Sequence, residues 1–151
     1  MPKDAVIKVL NDLVEVSEDG KKGFAEAADL AEDPKLKQLF ALCAEDCRAA
    51  AQEMQEKIAV LGGEPTGSGS AAGAVHRGWV KVKASVENKD IAVLEEVERG
   101  EDHAKAAFGK ALRSDLPPDI RALVQKHYDG TIQHHDQVRE LRDRFKSGLK
   151  A

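Results

Sequence analysis

The chain has 151 residues, 33% of them charged and only 4% aromatic, a length that supports one core and a mix that suits long solvent-facing helices. Its formal net charge is −4, with Lys and Arg interspersed among Asp and Glu, so the sequence offers no clustered basic face for nucleic acid. No apolar run approaches the roughly 20 residues that span a bilayer, and Met1-Pro2-Lys3-Asp4-Ala5 leads straight into an amphipathic pattern without a signal-peptide core. The expectation is a cytoplasmic protein with neither nucleic acid nor membrane as partner.

From about Asp4 to Ala31, small and apolar residues recur as Val6, Leu10, Leu13, Ser17, Gly20, Phe24, Ala27 and Ala31. Steps of three and four place them on one stripe of a single helix. Gly20 and Gly23 mark either a kink or a close approach by another helix. Asp33-Pro34 ends the segment, because the residue before Pro is pushed out of helical geometry.

Pro34 opens the second helix, whose stripe is Leu36, Phe40, Cys43, Cys47, Ala50, Met54, Ile58 and Leu61, stopped by Gly62-Gly63. Cys43 and Cys47 fall on the buried face one turn apart, where the reading is small hydrophobes with inert thiols. Arg48 lies at the edge of the stripe, from which its guanidinium can reach an interior carboxylate.

The long break from Gly62 to about Asn88 is the chief topological signal. Antiparallel neighbours need only a few connecting residues, so a connection of this length implies that the helices on either side of it run parallel. Within it, Ser70 is a plausible cap for a shorter helix near 70–87, with Val75, Trp79, Val82 and Val86 as its apolar face. His76-Arg77 invites a ligand reading, but packing beside the sole Trp is the simpler one. The glycines do not form a phosphate loop, since no Gly-Lys-Ser/Thr follows.

The third long helix, near 89–113, carries Ile91, Leu94, Glu98, Glu101, Lys105, Phe108 and Leu112 on one stripe. Its middle is charged, and a buried carboxylate is costly unless paired or protonated. Glu101 is closest to the stripe's centre. The last helix, near 117–147, answers with Thr131 and His135 pointing inward, His127 and Tyr128 beside them, and His134 nearer the edge. Counting outward from the turn at Leu116 puts Glu101 and His135 at matching depth, so the two are expected to meet. The expected interior polar cluster is Glu98, Glu101, His135, His127, Tyr128 and Arg48.

Two readings of that cluster stand. In one, it is a hydrogen-bonded network that fixes helix register in a non-catalytic structural or interaction protein. In the other, interior Glu and His, with Glu98, Glu101 and His135 as the ligands, hold a single iron or manganese ion or a degenerate two-metal site. A complete two-metal carboxylate centre is disfavoured, because Val124, Thr131 and Ile132 stand where the Glu of Glu-x-x-His would precede each histidine. Apolar residues assigned to outer faces (Ile7, Leu42, Val60 and Val93) suggest a homodimer.

The succession Asp19-Gly20, Gly23-Phe24, Ala27-Ala28, Asp33-Pro34, Arg48, Leu61-Gly62-Gly63, His76-Arg77-Gly78-Trp79, Gly100-Glu101-Asp102, Leu116-Pro117 and His135-Asp136 resembles an uncharacterised bacterial family of ferritin-like four-helix-bundle domains of unknown function. The resemblance implies an all-α, ferritin-like bundle over residues 1–151, with the crossover at about 62–88, and a cytosolic protein tied to stress responses. It implies no activity.

Overall fold

The computed structural model describes residues 1–65, 72–85 and 87–149, the side chains of 72–77 excepted. The expected cap Ser70 and the side chains of Val75, His76, Arg77 and Val86 lie outside the described residues. The fold is all-helical: α1 (Lys3–Leu30), α2 (Pro34–Val60), α3 (Ala72–Ala84), α4 (Lys89–Leu112) and α5 (Pro118–Lys146), with no strand among the described residues. No helix among them is long and apolar enough to cross a membrane.

α1 and α2 form one antiparallel hairpin, α4 and α5 another, and each turn is closed by the same device. A cation early in the second helix donates to the last carbonyls of the first, which are left without intrahelical donors. Lys37 Nζ reaches Ala28 O at 2.9 Å and Asp29 O at 3.2 Å. Arg121 donates to Leu112 O at 2.7 Å and also to Ser114 O.

The direction of the hairpins is fixed by Asp90 in the first turn of α4, whose carboxylate accepts from the backbone N–H groups of Glu32 at 2.6 Å and Asp33 at 3.1 Å. α4 therefore starts where α2 starts, and the two run parallel. α5 starts where α2 ends, with Lys57 on Asp119 at 3.3 Å. The α2 stop is a Schellman turn: Gly62 takes φ of +82°, and Gly63 N–H donates to Ile58 O at 2.9 Å.

The apolar side chains separate into two masses. One holds Leu10, Leu13, Val14, Met54, Ile58, Phe108, Ile120 and Val124 at the end where α2 stops. The other holds Phe24, Leu36, Phe40, Trp79, Leu94, Val138 and Phe145 at the opposite end. Val93 belongs to this second mass and is fully buried, which corrects its assignment to an outer face. Ile7 packs, half-buried, against the first mass, whereas Leu42 and Val60 do stand outside.

Candidate functional site

Between the apolar ends the bundle has a polar waist. Ser17 and Gly20 come to it from α1, Cys47 from α2, Glu101 and Ala104 from α4, and Thr131 and His134 from α5; all of them line one or both of two clefts that meet there. The glycines on α1 have distinct causes. A Cβ at Gly20 would stand 3.0 Å from Cys47 Sγ, so α1 and α2 approach closely there. Gly23 leaves room for the indole of Trp79, whose Nε1 lies 3.8 Å from where a Cβ would be. Beside Trp79, a side chain at Gly78 would run into the Glu96 carboxylate, which lets α3 lie close on α4.

Burial of the two central residues matches their place on the stripes: Glu101 is 4% exposed and His135 6%. Their partners differ from the expected ones. His135 Nε2 lies 2.6 Å from Asp102 and its Nδ1 3.5 Å from Asp136. The histidine near Glu101 is His134, with Nδ1 3.9 Å from Glu101 Oε2 and Nε2 3.0 Å from Asp46. His134 also sets its ring edge-on to Phe24, centroids 5.5 Å apart. Adjacent residues on a helix diverge by about 100°, so this pair straddles two seams, His134 toward α2 and His135 toward α4.

The other expected members disperse as well. Glu98 accepts from Arg142. His127 Nε2 lies 2.6 Å from Glu53, which Lys126 also holds at 3.1 Å. Tyr128 is half-buried against the first apolar mass, its ring edge beside Gly109. Arg48 is a correction: it is exposed, bound to Glu45 one turn back at 2.6 Å and to Gln52 one turn ahead at 2.7 Å. Such local partners are reached without burying the guanidinium, which explains why it stays in solvent.

Asp46 and Glu53 were not anticipated as partners. They stand seven residues apart on α2, as His127 and His134 do on α5, and antiparallel helices bring such steps into register. The far flank of α5 is also paired, against α4 and at shorter carboxylate steps, with His135 on Asp102, Arg142 on Glu98 and Lys146 on Glu95 at 3.7 Å.

The waist is a poor place for charge. Burial, and then the neighbouring Asp102, push the Glu101 carboxyl up to about 8. Burial followed by Glu101 and Asp46 raises the Cys43 thiol to about 12, and burial likewise holds Cys47 well above its ordinary value. Both cysteines are unpaired thiols, inert as nucleophiles near neutrality.

Iron or manganese does not fit Glu98, Glu101 and His135 as placed. Each is turned to a different neighbour (Arg142, His134 and Asp102), and no group of three or more His, Cys, Asp or Glu among the described residues could hold a metal ion. No curated protein matches the chain. A family model described as a domain of unknown function, DUF2383, matches residues 5–114, from α1 through α4 with Asp46, Glu53, Glu98, Glu101 and Asp102; that is well over half of the chain, which therefore belongs to this family.

Proposed function

We propose that the protein is a ferritin-like four-helix bundle that works as a non-catalytic structural or interaction protein, its interior polar pairs fixing the register of α5 against α2 and α4. The observation that carries this reading is the double ladder on α5. Histidines and basic residues along both flanks meet carboxylates, at matched seven-residue steps against α2 and at steps of three, four and seven against α4. A one-turn slip of α5 would unpair several buried or half-buried groups together, and that is how ionic groups select one packing over another. The ferritin-like assignment is supported by two hairpins joined through a long crossover, with α2 and α4 parallel.

The same proposal includes a homodimer paired along α2. Leu42 and Val60 are 67% and 82% exposed and five turns apart, so they share one outer face of that helix. It also includes a cytoplasmic location, where the thiols of Cys43 and Cys47 stay reduced, and a part in stress responses.

Elemental analysis of protein purified without tag or chelator, and again after adding iron, manganese and zinc, tests the non-catalytic reading. Well under one metal per chain is expected, unchanged by Glu101→Ala. Stoichiometric metal that disappears in Glu101→Ala would overturn it. Light scattering across micromolar concentrations checks the dimer, which a monomer mass throughout would exclude.

A further inference from the structure

The ladders leave Glu101 unexplained. Its Oε2 atom is buried and has no hydrogen-bond partner among the described residues. His134 Nδ1, at 3.9 Å, is beyond hydrogen-bond reach, and the other ring nitrogen is taken by Asp46. Leaving such a group buried without a donor destabilises a fold. A donor from outside the chain, reaching the carboxyl from a cleft that Glu101 lines, would offset that penalty.

Space for one is present. A cleft of about 210 Å³ between α1, α3 and α4 is walled by Val16, Phe24, Trp79 and Val97, with Glu101 in its lining. A second, of about 340 Å³, lies toward α2 and α5, and Val16, Gly20, Glu101 and Ala104 line both. The first opens beside Gly100, where a Cβ would meet nothing within 4 Å. An apolar cavity of about 150 Å³ is enough to take up benzene, so the first cleft has room for a ring and a short arm.

We propose that the α1–α3–α4 cleft binds a small organic amine, its ammonium group against the Glu101 carboxyl and its compact apolar body against Phe24, Trp79 and Val97. The site selects charge as well as shape. The titratable groups around Glu101 are Asp19 from α1, Asp46, Cys43 and Cys47 from α2, Asp102 on α4 and His134 from α5, and Glu96 and His103 of α4 line the same cleft. At the mouth, Arg99 is tied to Glu96. An anion would meet the carboxylates of Asp19 and Glu101, the Arg99 charge being spent on Glu96, and a neutral apolar molecule would leave the Glu101 carboxyl without a donor. Docking an ammonium would displace the proton that burial keeps on Glu101, so binding should tighten from about pH 6 to about pH 8. This inference goes beyond the structural role and does not depend on it, since the α5 ladders stand whether or not the cleft is filled.

Benzylamine is a suitable probe and benzyl alcohol its uncharged counterpart. Trp79 is the chain's sole tryptophan and lies in the wall, so its fluorescence reports occupancy. Benzylamine should change that fluorescence saturably and bind at least about tenfold more tightly than benzyl alcohol. Glu101→Gln should bring the amine down to the alcohol's affinity, and Ala104→Leu, which fills the space, should abolish binding of both while helical content is kept. If one variant fails to fold, the other decides. No saturable change, equal affinity for the two probes, or an amine preference that survives in folded Glu101→Gln would each overturn the proposal.

Discussion

The ends of this bundle and its waist are built from the same helices by opposite means. At the ends, large apolar side chains such as Phe40, Leu36, Met54 and Ile58 have no exposed surface at all. At the waist the same stripes carry Gly20, Ala104 and Thr131, along with Glu101 and two histidines. The ends supply the stability that comes with buried apolar area and close packing. The waist gives up part of that packing for space and for a carboxyl held out of water. The comparison teaches that a helix stripe can be continuous in direction while changing in purpose along its length.

The contrast is sharpest for side-chain truncation. Phe40 is fully buried and stacks on Phe24 with centroids 6.1 Å apart. Phe40→Ala should cost about 3–5 kcal/mol in denaturant unfolding. At the waist, Thr131 spends its hydroxyl on its own helix, donating to His127 O at 3.0 Å, and Thr131→Ala should cost less than about 1 kcal/mol. Equal losses at the two positions would erase the distinction.

Next in size is the pH dependence of Glu101→Gln. The Glu101 carboxyl sits at about 8 in the fold, against about 4.3 in an unfolded chain. Between these values the folded protein holds a proton that the unfolded chain has released. The stability tied to that proton is complete below the unfolded value and is lost as pH rises, at up to about 1.4 kcal/mol per pH unit, until it levels off above about 8. The Gln variant has no such proton. Its stability relative to the native chain should therefore climb by roughly 3 kcal/mol between about pH 5 and pH 8. A difference that stays flat with pH would mean the carboxyl is ionised and compensated.

The smallest effect is at the mouth of the cleft. A Cβ at Gly100 would meet nothing within 4 Å, so Gly100→Ala should stabilise the protein by about 1 kcal/mol through helix propensity. Destabilisation instead would mean that the space there is not open.

Much of this architecture could be read from the residues. Steps of three and four marked every long helix to within about two residues, since burying a stripe imposes that spacing. The length of the connection after Gly62-Gly63 foretold the parallel course of α2 and α4. Glu101 and His135 stood out because each breaks an apolar stripe. Partners were harder to read, because a helical wheel gives an angle on one helix but neither its axial register on the next nor a rotamer. Thus His135 went to Asp102 and left His134 nearest Glu101, and Arg48 found Glu45 and Gln52 on its own helix. The matched seven-residue steps of Asp46 with Glu53 and His127 with His134 were present in the sequence. They become informative once the antiparallel pairing of α2 with α5 is known.

The contrast between waist and ends turns on one buried carboxyl, Glu101, and its titration can be followed directly. Glutamate labelled with ¹³C at the side-chain carboxyl, assigned by comparison with Glu101→Gln, should show one resonance titrating near 8, far above the surface glutamates. A Glu101 resonance titrating near the ordinary value of about 4.3 would contradict the account, because the waist would then hold a solvated or paired carboxylate and the cleft would have no unmet acceptor to offer.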